Sequence, residues 1–176
     1  MTEHYPAGKL CRLRPLRRED LPQRLQMIND PDVQRLWIGV PADKNDLEAL
    51  ETWFYMLSQD PYSEQWAIEA PDGRYVGDID LHSINRARGE AALSVLVGDR
   101  AYWTPEARRD ILVTALRYAL EEKGLRRITM EVPDNDVEGV RILQDLGFRI
   151  VDKYELDVFE GVNELTMELQ AEKFNP

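Results

Sequence analysis

Apolar residues recur at helical spacing along residues 105–122 and form one continuous stripe. The stripe consists of Ile111, Leu112, Ala115, Leu116, Ala119 and Leu120. Gly124 follows it and predicts the end of the helix. Residues 127–132 then alternate between apolar and polar positions, as a half-buried strand does. A second helix ends at Gly147, so residues 98–148 predict the end of a strand, a helix, a strand and a helix.

The first third of the chain predicts a strand followed by helices. Residues 10–16 alternate as a strand, and the next helix has an apolar side made of Leu21, Leu25, Met27 and Ile28. The Asn-Asp-Pro at residues 29–31 ends that helix, because a residue before proline avoids the helical region. Residues 32–37 are a candidate short helix that leads into a loop at residues 39–41. Residues 46–58 predict a further helix, and the predicted order counts two helices in this region.

Three strands in a meander follow, and a hairpin ends the chain. The predicted strands are residues 65–70, 75–82 and 91–98, then 149–151, 153–159 and 164–170 around a turn at Gly161. The full order is β-α-α-β-β-β-α-β-α-β-β. This order predicts a mixed α+β fold with a mostly antiparallel sheet of about seven strands and about four helices. We expect one domain over residues 1–176, with residues 1–8 as a tail.

Composition narrows the class of protein. The 176 residues are 43% hydrophobic and 31% charged, which is typical of a soluble globular domain. The net charge of −11 argues against a nucleic-acid partner, because phosphate binding needs an excess of Lys and Arg. The sequence contains no run long enough to span a membrane, and its start lacks the apolar core of a secretory signal, so we expect a cytoplasmic protein.

Few side chains are candidates for a catalytic or ligand-binding role. Asp78, Asp80 and His82 alternate along the third strand and could hold a general base or bind an amine, or could form the wet face of the strand. They do not make a convincing metal site on one strand, so no metal is expected. Cys11 is either a small buried residue or a nucleophile. The aromatic residues Trp37, Trp53, Phe54 and Tyr55 either line a substrate pocket or pack in the core.

The element order and several local phrases resemble the GCN5-related N-acetyltransferases, the GNAT superfamily, and in particular its ribosomal-protein-acetyltransferase-like branch. The phrases are LRPLRREDL, NDPDVQRLW, the glycine within YVGDIDLHSI, VGDRAYW and LQDLGF. The resemblance covers residues 9–170. It implies the GNAT fold and transfer of an acetyl or longer acyl group from coenzyme A to an amine.

The resemblance also implies where acyl-CoA binds. The backbone at the end of the fourth strand, Leu96, Val97 and Gly98, would hold the pantetheine arm. The turn at residues 103–109, including Trp103, Thr104, Arg108 and Arg109, would meet the diphosphate. Glu106 and Arg108 stand where the family has glycines, and Thr104 is a good N-cap for its own helix. The two arginines are either compensating anion ligands or solvated surface residues.

On the last helix, the tyrosine that often protonates the thiolate in this family corresponds to Leu143. The family's frequent asparagine corresponds to Asp136, with Asn135 beside it as a candidate cofactor contact. Asp80 or Glu90 would serve as the general base. Two hypotheses follow. The first is an acyl-CoA-dependent N-acyltransferase acting on a small-molecule amine or a protein N-terminus. The alternative is a catalytically silent GNAT-fold module that binds a metabolite or a protein. A homodimer through the C-terminal hairpin is a further hypothesis.

Overall fold

The computed structural model describes residues 5–38, 43–156 and 161–176. Seven strands form one sheet in the spatial order β1-β2-β3-β4-β5-β7-β6. They are β1 (Arg12–Pro15), β2 (Glu64–Glu69), β3 (Tyr75–Asn85), β4 (Glu90–Val97), β5 (Arg127–Pro133), β6 (Arg149–Glu155) and β7 (Asn163–Gln170). Among these strands, β4 and β5 are the one parallel pair. The predicted mixed, mostly antiparallel sheet is confirmed.

Five α-helices accompany the strands in the described ranges. They are α1 (Leu21–Ile28), α2 (Pro31–Trp37), α3 (Leu47–Ser58), α4 (Pro105–Arg117) and α5 (Val137–Asp145). Three of them lie between β1 and β2, so the predicted count of two was wrong. The short α2 forms because Asp30 caps its start, accepting a hydrogen bond from the Asp32 amide at 2.9 Å. The predicted loop at residues 39–41 lies outside the described residues.

The helices cover both faces of the sheet. The apolar stripe of α4 packs with α5 on one face, where Ile111, Leu116 and Leu143 join sheet residues such as Ile128 in the larger core. On the other face, α1, α2 and α3 pack in a smaller core around Leu96. After Arg117 the helix α4 continues into a π-helical turn, Tyr118–Glu122. No helix in the described part of the chain combines the length and apolar character needed to cross a membrane.

The C-terminal hairpin is simpler than predicted. The two predicted pieces at its start are one strand, β6, which forms an edge of the sheet with all seven residues exposed. Residues 157–159, predicted as part of that strand, lie outside the described ranges. Gly147 has a φ of +108° and precedes the hairpin, and a Cβ there would collide with the Lys173 carbonyl. Dimerisation through this hairpin stays a prediction.

Residues near the N-terminus are held to the body of the domain, although the sequence predicts a tail through residue 8. The Pro6 carbonyl accepts a hydrogen bond from the Leu13 amide at 2.7 Å. The Asp110 carboxylate on α4 accepts from the amides of Lys9 and Leu10 at 2.9 and 2.8 Å. The strand β1 is therefore anchored to α4 as well as to β2.

One irregularity of the sheet creates space for a ligand. The parallel pairing of β4 and β5 joins Glu90, Ala91 and Ala92 to Arg127, Ile128 and Thr129. Within the described residues the pairing stops there, and the second half of β4 has no strand partner on its β5 side. A cleft therefore opens between the two strands, on the carboxyl side of Ala92.

Candidate active site

The cleft between β4 and β5 is lined by residues from both strands and from α4 and α5. Lining residues include Val95, Val97, Trp103, Arg108, Val132 and Leu143. The backbone of β4 on this side has no strand partner, so it can pair with an extended ligand as a neighbouring strand would. The walls combine apolar side chains with the charged side chains of Arg108, Glu131 and Asp136.

The structure separates the three residues predicted to hold the pantetheine arm. Val97 borders the cleft, and its carbonyl accepts a hydrogen bond from Trp103 Nε1–H at 2.9 Å. Gly98 donates its amide to the Val76 carbonyl at 3.0 Å, so that group points toward β3 and away from the cleft. Leu96 is buried and borders a second cavity on the opposite face of the sheet.

The start of α4 is capped by its own sequence. Thr104 Oγ1 accepts from the Ala107 amide at 3.2 Å, which confirms the predicted N-cap. Glu106 is exposed in the first turn. Arg109 turns away from the cleft, and its Nη2 donates to the Asn175 carbonyl at 3.3 Å. Of the two arginines near this turn, Arg108 alone borders the cleft.

Arg108 is not a solvated surface residue, since its side chain is 18% exposed. Its Nη1 donates to Asp136 Oδ1 at 3.1 Å, and its Nη2 donates to the other carboxylate oxygen. Asp136 also caps α5 by accepting from the Gly139 amide at 3.1 Å. The ion pair thus joins the N-terminal ends of two helices at the mouth of the cleft. The predicted contact Asn135 lies beside it and is exposed.

Leu143 lies in the wall of the cleft and is fully buried, with an aliphatic side chain that cannot donate a proton. Cys11 is buried as well, which supports its interpretation as a small core residue. Burial and the nearby Asp110 carboxylate raise the pKa of the Cys11 thiol to about 12. A thiol of this kind is a poor nucleophile at neutral pH.

A second cavity lies on the face of the sheet covered by α1, α2 and α3. Its lining includes Arg24, Trp37, Trp53, Asp78, Asp80 and Ser94. Two of these residues, Trp37 and Ser94, also line the cleft. The cleft and the second cavity, which we call the acceptor cavity, therefore meet at Ser94.

Asp80 lies at this meeting point. It is directly opposite Ser94 in the register of β3 and β4, so both side chains project from the same face. Gln65 Nε2 donates to Asp80 Oδ1 at 2.9 Å. Burial raises the pKa of Asp80 above its ordinary value, and the Gln65 hydrogen bond opposes that shift. A carboxylate with a raised pKa is suited to accept a proton.

The interpretation of Asp78, Asp80 and His82 as a solvent-exposed face of β3 is wrong, because α1, α2 and α3 cover this face. Asp78 is buried, accepting from Arg24 Nε at 2.7 Å and from the Tyr75 hydroxyl at 2.5 Å. His82 is partly buried, and its Nδ1 is 3.3 Å from the hydroxyl of Ser83, which has a φ of +53°. Among the residues with described positions, no cluster of three or more His, Cys, Asp or Glu side chains could hold a metal ion.

Arg24, like Ser94, lines this cavity and was not predicted as a site residue. Its guanidinium carbon is 4.0 Å from the ring centroid of Trp53 and 5.8 Å from that of Trp37. The signal was present, because this arginine falls between Leu21 and Ile28 on the apolar side of α1. Of the other early aromatic residues, Phe54 packs in the core and Tyr55 is 66% exposed.

Glu90, the second predicted base, has a different setting. Its Oε2 is 3.0 Å from Arg127 Nη2, in an ion pair at the closed end of the parallel pairing. Four residues separate it from Ser94, which is roughly 13 Å along a strand. Glu90 borders a separate groove that also reaches Ser94. Asp80 lines the cavity that meets the cleft at Ser94, whereas Glu90 does not.

Residues 11–149 match the family model of the acetyltransferase (GNAT) domain. This range covers most of the chain, so the protein belongs to the GNAT acetyltransferase family, and the predicted family is confirmed. The chain is 25% identical over 150 residues to the spermidine N(1)-acetyltransferase of Escherichia coli K12. The match spans 82% of this chain and 76% of that relative.

Two solved structures have the same fold. The spermidine N-acetyltransferase of Vibrio cholerae in complex with CoA and spermine superposes with a TM-score of 0.82 at 18% identity, over 94% of this chain and 98% of that one. The Vibrio cholerae spermidine/spermine N-acetyltransferase in complex with manganese ions has a TM-score of 0.74 at 18% identity, over 93% and 94% of the two chains. At these identities the likeness establishes the fold.

Proposed function

We propose that this protein transfers an acetyl group from acetyl-CoA to the amine of a small molecule. The cleft between β4 and β5 would hold the pantetheine arm, with the backbone edge of β4 at Val95 as its partner. The acceptor cavity would hold the amine. Membership of the GNAT family supports the reaction class, and the CoA complex of the Vibrio cholerae relative supports the use of a coenzyme A thioester.

The observation that carries this proposal is the junction at Ser94. A bisubstrate reaction needs two binding sites that meet at the reacting atoms, because direct attack requires the two reactants in contact. The coenzyme cleft and the acceptor cavity share Ser94, and Asp80 lies opposite it. This arrangement supports a role for Asp80 as the base beside the point where an amine would approach a thioester.

Acetyl-CoA supplies the acetyl group as a thioester, which is already activated for attack. An amine arrives mostly as an ammonium, and the Asp80 carboxylate removes one proton so that the nitrogen lone pair is free. The amine then attacks the carbonyl carbon, forming the C–N bond while the C–S bond breaks, and the nitrogen releases its second proton to water. The thiolate leaves and takes a proton from water, since Leu143 cannot provide one. The Trp37 side chain borders both spaces beside the junction.

Two measurements test the proposal. Isothermal titration with acetyl-CoA reports binding, and detection of free CoA thiol in the presence of a panel of primary amines reports transfer. We expect binding in the micromolar range and amine-dependent thiol release. The Asp80→Asn variant is the matched control, because it should bind acetyl-CoA normally and release thiol slowly. Absence of heat at millimolar acetyl-CoA would rule the proposal out.

The alternative, a silent module, is favoured by one specific observation. The Arg108 and Asp136 ion pair occupies the helix ends where a diphosphate would bind, and Thr104 already caps α4. In this function the acceptor cavity would bind a metabolite without chemistry. Titration that shows amine binding but no acetyl-CoA binding would favour the module over the enzyme.

A further inference from the structure

A buried cation faces the acceptor cavity with most of its donors unused. The Arg24 side chain is 6% exposed, and its Nε–H donates to Asp78 Oδ2 at 2.7 Å. Within the described ranges, this is the one hydrogen bond of the guanidinium to the protein. A guanidinium carries five N–H donors, so the Nη edge is left without a protein acceptor among those residues.

The Nη atoms are open to the cavity, since the buried side-chain atoms without a partner among the described residues are Trp66 Nε1 and Arg127 Nε. A charged group that is largely removed from bulk water is stabilised by a hydrogen-bonding partner. The Trp53 ring covers a face of the guanidinium and leaves the edges free. The Nη edge of an arginine is a planar fork whose geometry matches a carboxylate. Since Arg24 lines the acceptor cavity, the missing partner would be a ligand in that cavity.

The spacing of Asp78 and Asp80 along β3 gives the approximate distance between the Arg24 site and the junction at Ser94. Asp78, which binds Arg24, and Asp80, which lies opposite Ser94, are two residues apart on one face of the strand. Two residues of a strand span roughly 7 Å. The cavity has a volume of about 230 Å³, below the range of roughly 300–1,000 Å³ typical of sites for drug-sized ligands. It therefore fits a short ligand with a charged group at each end.

We infer that the acceptor is a small amine that also carries a carboxylate, with the carboxylate bound by Arg24 and the amine placed between Asp80 and Ser94. The inference rests on the proposed function and narrows its substrate class. A diamine would direct its second ammonium toward Arg24, and like charges in a desolvated site repel each other. The acceptor class thus differs from the polyamines in the names of the relatives.

Three amines of equal chain length test this inference. Butylamine ends in a methyl group, 4-aminobutyrate in a carboxylate and putrescine in a second amine. We expect kcat/KM for thiol release from acetyl-CoA to be about tenfold higher for 4-aminobutyrate than for butylamine, as one charge-assisted contact provides. Putrescine should be the poorest of the three. A value for putrescine equal to or above that for 4-aminobutyrate would overturn the inference and leave the proposed function standing.

A double variant tests the role of Arg24 itself. Arg24→Gln combined with Asp78→Asn removes both members of the buried pair, so no charge is left unpaired. We expect the preference for 4-aminobutyrate over butylamine to fall to about twofold or less. A preference that persists in the folded double variant would assign the carboxylate to another group. If the double variant does not fold, the comparison of kcat/KM for the three amines with the wild-type protein still tests the inference.

The two proposals fail in different ways. If none of the three amines releases thiol from acetyl-CoA, the proposed acetyl transfer to small amines fails. Titration of the wild-type protein with the same amines then tests the cavity alone. Tighter binding of 4-aminobutyrate than of putrescine would uphold the carboxylate site without chemistry. Equal binding, or the reverse order, would overturn it.

Discussion

The Arg108 guanidinium donates to both carboxylate oxygens of Asp136 and so ties the first turn of α4 to the start of α5. Both side chains are mostly buried at the mouth of the coenzyme cleft. A glycine at position 139 allows this approach, because a Cβ there would collide with the Asp136 carboxylate. The resemblance places a family glycine at the position of Arg108, so under the proposed function the availability of this cation would govern diphosphate binding.

The first prediction concerns Asp136→Asn. The side-chain oxygen of the introduced asparagine can still cap α5. The substitution removes the negative charge beside a bound diphosphate and releases Arg108 from its ion pair. We expect the dissociation constant for CoA to fall about tenfold, and Arg108→Gln to raise it by a similar factor. Isothermal titration with CoA measures both.

Glu106→Gln is the matched control for this first prediction, because it removes an exposed carboxylate from the same region without touching the ion pair. We expect a change below about threefold, since exposed charges are screened. Weaker CoA binding by a folded Asp136→Asn variant would mean that the pair supports the coenzyme site instead of competing with it.

The second prediction concerns Asp80→Asn and pH. Burial raises the pKa of Asp80 above its ordinary value of 3.8, so ionisation destabilises the folded state. Below pH 3.8 the carboxyl is protonated in the folded and unfolded states, and the charge costs nothing. As pH rises through the raised pKa, the wild type loses stability relative to the variant. We expect a higher Tm for Asp80→Asn at neutral pH and no difference from this group in strong acid.

For Asp80→Asn, the rate of thiol release should fall although the Tm at neutral pH rises. Loss of the general base lowers kcat by about 10²–10⁴ at neutral pH, while the affinity for acetyl-CoA stays the same. Calorimetric Tm values between pH 3 and 8 and single-turnover rates report the two effects separately. A variant that is more stable and fully active would show that Asp80 is buried for another reason.

The third prediction concerns Ser94→Leu. The larger side chain would fill the point where the cleft and the acceptor cavity meet. We expect kcat to fall at least about tenfold, because a small displacement of the reactants has a large effect on direct attack. Ser94→Ala reports the contribution of the hydroxyl alone, so the loss must be larger for leucine. Equal losses in both variants would assign the effect to the hydroxyl and not to the junction.

The fourth prediction concerns the stability of the Arg24 and Asp78 pair, whose side chains are 6% and 7% exposed. Arg24→Met leaves a buried carboxylate without its cation and should lower the free energy of unfolding by about 3–5 kcal/mol. Adding Asp78→Asn should restore at least half of that loss. Urea unfolding measures both variants.

An exposed pair provides the comparison for this fourth prediction. Arg18 and Glu51 are 70% and 41% exposed, so Arg18→Met should change the free energy of unfolding by about 0–1 kcal/mol. A similar loss for Arg18→Met and Arg24→Met would show that burial does not control the energy of the Arg24 pair.

Local signals in the sequence determined the fold. The apolar stripe of α4, the alternation in β5 and the positive φ at Gly147 agree with the pattern along the chain. The same is true of the Thr104 cap, whose acceptor and donor are three residues apart. These features depend on neighbours in sequence, so periodicity and residue type are sufficient to predict them.

The tertiary structure decided which side chains share a site. Packing of α2 against β4 and β5 brings Trp37 to both cavities, and packing of α1 on β3 places Arg24 against Asp78, 54 positions away. The Arg108 and Asp136 pair likewise spans 28 positions. A local sequence pattern cannot predict these contacts, because they form only when several elements pack on one sheet. The sequence by itself determined most of the elements and the Thr104 cap, whereas packing decided which charged side chains border the cleft and the acceptor cavity.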